Sequence, residues 1–191
     1  MQKKWRRYLM DIILATSSPR RINLLKMLNI KFKTVAPRIK ENINETDPEK
    51  LVKKLSKLKA LSIKEKGIII SADTIVYHNN KVLGKPKNLD NAFNMLKELS
   101  SKWHTVYTGV TIIEKDDIIT FCEKTMVKFK KLSDELIRYY ISTSKPLDKA
   151  GAYGIQELGA ILVEKIEGDY YNVVGLPISR IWDILWDRRI I

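Results

Sequence analysis

The segment that most constrains the fold is ILATSSPRRINLL, residues 13–25, where an apolar run passes through a small polar turn directly into a helix pattern. DIILAT (11–16) reads as a buried strand. Ser18 then stands as a helix N-cap, with Pro19 at the first helical position. Arg20 and Arg21 follow in a first turn where the helix dipole is already positive. A cation there is disfavoured by about 0.3–1 kcal/mol, and a capping box would put Glu or Gln at position 21. Two arginines at this place suit a helix whose N-terminus meets phosphate. On that reading they cost stability in an empty site. Arg21→Gln is then expected to stabilise the chain by a few tenths to about 1 kcal/mol while weakening activity.

Strand and helix patterns follow one another along the rest of the chain. Residues 18–29 read as a helix and 31–36 as a strand. Asp47 and Pro48 open a helix over 48–65. GIIISAD and TIVYH are strand material, with a hairpin turn at Asn79-Asn80. A helix covers 88–100, and two long strands within 104–129 meet at Asp116-Asp117. A helix over 133–142 precedes a Gly-rich segment at 148–160. A strand at 160–166 and a helix with Ile178, Ile181, Trp182 and Leu185 on one face close the chain.

The 191 residues, 45% of them hydrophobic, are enough for one substantial core or two small lobes. No run of 18 apolar residues occurs, so no membrane span is expected. Residues 1–9 read as a solvated basic extension to a domain at 10–191. Asp11 and the shortness of IILA argue against a signal peptide. The formal charge is +13, but the lysines are spread along the chain and no nucleic-acid motif appears. That favours a soluble Lys-rich surface plus a local anion site over a nucleic-acid partner. The single Cys122 excludes an internal disulfide and fits a reducing cytoplasm; it reads as a small core residue. Two histidines and one cysteine argue against a His/Cys zinc site.

Several residues break local rules. At 100° per residue, Lys59 falls within the apolar face of its helix, between Leu55 and Val52. It either snorkels outward along its stem or points into a cleft toward an anion. In IIISADT an apolar strand reaches Asp73, a residue disfavoured in strands and costly to bury unpaired. It is either a turn cap or a carboxylate at a strand's carboxyl end, where open α/β sheets bind ligands. Such a group can hold a divalent cation or take a proton from water. Glu41 is a candidate second carboxylate. LGKPKN sets Lys85 between Gly84 and Pro86, and DKAGAYGIQELGA sets Gln156 among glycines. Cations at 20, 21, 59 and 85 with carboxylates at 73 and 41 suit a metal-bound polyphosphate.

LATSSPRR (14–21), SADTIV (71–76), LGKP (83–86), LSSKWHTVYTGV (99–110), DKAGAYGIQELGA (148–160) and GDYYNVVGLP (168–177) together resemble the Maf family of nucleoside triphosphate pyrophosphatases. The resemblance implies a single α/β domain with a long bent mixed sheet flanked by helices, similar to the inosine triphosphate pyrophosphatases. It implies metal-dependent hydrolysis of a nucleoside triphosphate to the monophosphate and pyrophosphate, with Mg²⁺ or Mn²⁺, in a cytoplasmic homodimer. Carried over residue by residue, Ser18, Arg20, Arg21, Lys59, Thr74 and Lys85 bind substrate phosphates. Asp73, Lys85, Gln156 and Glu41 are catalytic, and Asp73 and Glu41 hold the metal. Arg after Pro19, with ADT and AGAYGIQ, resembles the branch acting on dTTP and UTP, so a pyrimidine or modified pyrimidine substrate is favoured. Asn29 and Ser101 stand where the family usually has glycine. The alternatives are a binder of nucleic acid or of a division protein without turnover, since the family is linked to inhibition of septum formation, and a pyrophosphatase acting on ITP or XTP.

Overall fold

The computed structural model describes residues 11–40 and 43–191; the extension at 1–9 lies outside them. β1 (Ile12–Ala15) leads through residues 16–18 into α1 (Pro19–Lys26) and β2 (Phe32–Val35), as the opening pattern requires. α2 (Pro48–Leu61), β3 (Ile68–His78), β4 (Lys81–Leu83), α3 (Leu89–Leu99), β5 (Trp103–Glu114), β6 (Asp117–Phe129) and α4 (Asp134–Thr143) follow. Three short 3₁₀ turns at 146–148, 150–152 and 157–162 precede β7 (Val163–Glu167), α5 (Tyr170–Val174) and α6 (Ile178–Asp187). Among the described residues, seven strands form one mixed sheet in the order β2-β1-β3-β5-β6-β7, with β4 paired to β3. β1 is parallel to β2 and to β3, and the remaining pairs are antiparallel.

Every residue of β1 is buried because the sheet is covered on both faces. Ile12 and Leu14 join the larger core, built with α1, α3, α4 and α6. Ile13 and Ala15 join a smaller one that includes Ala60 of α2. Asp47 caps α2 by accepting from the Glu49 and Lys50 amides at 2.9 and 3.2 Å. Asn79 and Asn80, with φ of 47° and 59°, make the tight turn between β3 and β4.

Several boundaries differ from the sequence reading: α1 ends at Lys26 rather than 29, and α2 at Leu61 rather than 65. The β5–β6 turn is Lys115-Asp116, so Asp117 already pairs with Glu114. Residues 160–162 stay in a 3₁₀ turn, and β7 begins only at Val163. α5 has no counterpart in the sequence reading. Cys122 is half-buried on β6 rather than in the core, and burial pushes its thiol up to about 12, so it is no nucleophile.

The two departures from glycine both occupy left-handed backbone: Asn29 has φ 53° and Ser101 φ 60°. Asn tolerates this conformation and Ser does not, at about 1–2 kcal/mol for an ordinary L-residue. Ser101→Gly should therefore stabilise the chain by about 0.5–1 kcal/mol, after the added freedom of the unfolded glycine is subtracted. Asn29→Gly should leave the melting temperature nearly unchanged. Thermal melting of the two variants side by side checks both.

Candidate active site

The sheet leaves a gap. β5 pairs with β3 along residues 69–77 of one edge. On the other edge β1 covers residues 68–71 and β4 covers 76–78. Among the described residues, no strand lies beside residues 72–75, Ala72-Asp73-Thr74-Ile75, on that edge. Successive side chains point to opposite faces, so a cleft entering at this gap reaches both sides of the sheet. It has a volume of about 510 Å³, and Ser18, Arg20, Arg21, Lys59, Asp73, Thr74, Lys85 and Gln156 all line it. Of the residues singled out in the sequence, Glu41 lies outside the described residues.

On the α2 side, Lys59 Nζ donates to Asp73 Oδ1, with both side chains about nine-tenths buried. Lys59 therefore turns inward rather than snorkelling, and the ion pair is what lets Asp73 sit in a buried strand. Gly109 makes this approach possible. It lies opposite Asp73 in the β3–β5 register, and a Cβ there would sit 2.2 Å from the Val52 carbonyl oxygen of α2. Ser71 Oγ donates to the Ser56 carbonyl at 2.7 Å, and Ser56 Oγ meets Thr111 Oγ1 at 3.0 Å, tying α2 to the sheet beside the pair.

On the opposite face Arg21 donates from Nε to the Gly175 carbonyl at 2.8 Å and from Nη2 to Thr74 Oγ1 at 2.9 Å. Gly175 closes α5, so this cation, misplaced in its own helix, faces another helix's negative end. Thr74 continues to Thr108 Oγ1 at 2.9 Å, which donates to the Asn172 carbonyl at 3.0 Å. These bonds overturn the expected stability gain on replacing Arg21. Hydrogen bonds from a charged group are worth about 1.5–3 kcal/mol each, less where solvent reaches them. Arg21→Gln should lower stability by about 1–3 kcal/mol and raise KM for a nucleoside triphosphate. Ligand-free melting beside steady-state kinetics checks both, and a melting temperature at or above the wild-type value contradicts this reading.

Arg20 Nη1 donates to Asp148 Oδ2 at 3.0 Å at the rim of the cleft. Burial works against the Asp148 charge, but hydrogen bonds from Lys149 and Arg20 outweigh it and hold the carboxyl below its ordinary value. Ser18 begins α1 without a side-chain cap bond, unlike Asp47, Asn88 and Ser133 at their helices. Lys85 is exposed and has no ion-pair partner among the described residues. Gln156 makes no side-chain hydrogen bond to a described residue. Asp148, Gly109, Ser71 and Thr108 escaped sequence reasoning; for Asp148 the only signal was its place at the head of DKAGAYGIQ.

The cleft thus brings the four cations singled out in the sequence, together with Lys149, to one buried carboxylate. Asp73 is neither a turn cap nor at a strand's carboxyl end, as the sequence suggested, but lies in the middle of β3, just past its parallel pairing with β1. The arrangement suits a polyphosphate. A family model described as Maf-like protein matches residues 11–188. A protein named dTTP/UTP pyrophosphatase from Thermosipho africanus is 64% identical over 182 residues, 95% of this chain and 95% of that protein. Proteins of the same name from Thermoanaerobacter sp. and Thermotoga maritima are 52% and 44% identical. They cover 92% and 94% of this chain, and 95% and 90% of their own lengths.

Proposed function

The chain belongs to the Maf family, and from that membership and the cleft at the β3 gap we propose that it hydrolyses dTTP and UTP to the monophosphate and pyrophosphate, clearing such nucleotides from the pool. The observation that carries this reading is the buried Asp73 carboxylate, paired with Lys59 in a cleft that Arg20, Arg21 and Lys85 also line. The relatives' printed name supports the choice of pyrimidine substrates. Modified pyrimidine nucleotides fall in the same class.

Among the described residues, no three His, Cys, Asp or Glu side chains gather as a metal cage. Magnesium needs none, because one or two carboxylates and the substrate's own phosphates suffice. Asp73 fits that role, with Glu41 as the second carboxylate implied by the family resemblance. A Mg²⁺ or Mn²⁺ ion held there would neutralise phosphate charge and make a nearby water more acidic.

The protein's own groups then divide the work. Arg20, Arg21, Lys85 and the open N-terminus of α1 at Ser18 take the phosphates, and Thr74 keeps Arg21 aimed at them. Arg20 exchanges Asp148 for phosphate as substrate enters. Asp73 orients the attacking water and accepts its proton as the water oxygen bonds to the α-phosphorus. The bond from that phosphorus to the α–β bridging oxygen breaks, and its electron pair leaves with pyrophosphate. The cations meet the charge that accumulates there. Lys59 holds Asp73 until substrate arrives and then faces phosphate, while Gln156 and Lys85 bind the reacting phosphoryl group. With this reading go a cytoplasmic location, supported by the lone cysteine, and a homodimer, supported by the family resemblance. No helix among the described residues is long and apolar enough to cross a membrane.

Incubation with dTTP, UTP, CTP, ITP and XTP in Mg²⁺ or Mn²⁺, reading monophosphate and pyrophosphate, tests the proposal. Preference for dTTP and UTP is expected. Preference for ITP or XTP overturns the substrate class, and silence across the panel with salt-sensitive nucleic-acid binding overturns the activity.

A further inference from the structure

The motif LSSKWHTVYTGV (99–110) gives no side chain to the chemistry above, yet it carries His104, one of only two histidines in the chain. His104 lies on β5, is 3% exposed, and has its Nε2 2.7 Å from the Tyr153 hydroxyl. The rings of His104, Phe129 and Tyr153 pack edge to face, with centroids 4.7–5.3 Å apart. Burial pushes His104 down to about 3, helped by His78, and holds the Tyr153 phenol above its ordinary value. The pair therefore stays a neutral imidazole and a neutral phenol at working pH. Stability alone does not favour it, because Nδ1 of the same ring is buried with no hydrogen-bond partner among the described residues. Two apolar rings would pack there without that penalty.

What the pair holds is the wall of the cleft. Tyr153 lines the cleft three residues before Gln156. The backbone beneath it is tightly bent, with φ of 65° at Gly151 and 64° at Ala152. The Gly151 amide donates to the Gly84 carbonyl at 3.0 Å, which joins this segment to the turn carrying Lys85. The Gly154 amide donates to the Tyr140 hydroxyl at 3.2 Å. Gln156 itself makes no side-chain hydrogen bond to a described residue, so its place depends on the segment that carries it.

We propose that His104 is a positioning residue: by holding the Tyr153 hydroxyl it fixes residues 150–156 so that Gln156 meets the reacting phosphate. This rests on the role given to Gln156 above. A bent, strained segment has other conformations within reach, and a misplacement of about 1 Å at a reacting group costs up to about a hundredfold in rate. The His104–Tyr153 bond selects one of those conformations.

The test uses the full chain with His104→Phe, Tyr153→Phe, both together, Gln156→Ala, and Gln156→Ala combined with Tyr153→Phe. Each is read for kcat and KM on dTTP with Mg²⁺ and for ligand-free melting. Each ring variant alone should lower kcat by about tenfold with KM changed less than about twofold, and should lower the melting temperature. The double ring variant should regain its melting temperature, because no buried polar group is left without its partner, but should not regain kcat. In the Gln156→Ala background, Tyr153→Phe should cost no further kcat. Recovery of kcat together with stability in the double ring variant would overturn the proposal by showing a purely structural bond. Multiplicative loss in the Gln156→Ala, Tyr153→Phe combination would overturn it while leaving the role of Gln156 standing. Wild-type kcat in Gln156→Ala alone would overturn that role and the proposal with it.

Discussion

Asp73→Asn is expected to lower turnover of dTTP by at least about a hundredfold while the chain still folds. The amide keeps the shape of the carboxylate in the β3 gap but cannot accept a proton from water. It also leaves the Lys59 ammonium buried beside a neutral group, since both side chains are about nine-tenths buried. Removing one partner of a buried ion pair costs up to about 3–5 kcal/mol, a large share of the 5–15 kcal/mol that holds a typical domain together. The variant should therefore melt earlier and must be assayed well below its melting temperature. Steady-state pyrophosphate release beside thermal melting separates the two effects. Near-normal pyrophosphate release by folded Asp73→Asn would remove Asp73 from the chemistry.

Gly109→Ala should destabilise the chain by about 3 kcal/mol or more and lower kcat as well. The added methyl would lie 2.2 Å from the Val52 carbonyl oxygen, 2.3 Å from its carbon and 2.8 Å from the Lys53 nitrogen. All three are backbone atoms, so no flexible side-chain end can swing aside, and α2 must lift from β5. The lift strains the Ser56–Thr111 and Ser71–Ser56 hydrogen bonds and draws Lys59 away from Asp73. A displacement near 1 Å at a catalytic group is worth up to about a hundredfold, so stability and turnover should fall together. Denaturant unfolding and kcat measured on the same preparation check this. Wild-type values in both would mean that the close approach of α2 through Gly109 does not set the site.

Much of this architecture is legible in the sequence because it rests on local patterns. DIILAT, the Asp47-Pro48 start and the face of α6 declare themselves through periodicity and caps. α5 does not, since the five residues YYNVV are too short to show a period. The apolar run at 160–163 reads as strand, yet its first three residues remain in a 3₁₀ turn. Lys59 and Asp73 each stand out alone, as a cation in an apolar face and a carboxylate in an apolar strand. Their pairing is invisible, because it depends on how closely α2 lies on the sheet at Gly109. Arg21 shows the same limit with a larger consequence. Helix electrostatics at its own position point to a destabilising residue, whereas its partners, Thr74 and Gly175, lie 53 and 154 residues away. Asp148 resembles any solvated loop carboxylate until the fold sets it against Arg20.

In the proposed reaction water attacks the α-phosphorus of a nucleoside triphosphate lying in the β3 gap. Turnover of dTTP with Mg²⁺ in water enriched in heavy oxygen, followed by mass spectrometry of both products, shows which phosphorus is attacked. The label is expected in the thymidine monophosphate, with unlabelled pyrophosphate beside it. Label in pyrophosphate would place the attack on the β-phosphorus, and release of orthophosphate with thymidine diphosphate would place it on the γ-phosphorus. Either result would contradict the arrangement of Asp73 and the four cations derived from the cleft.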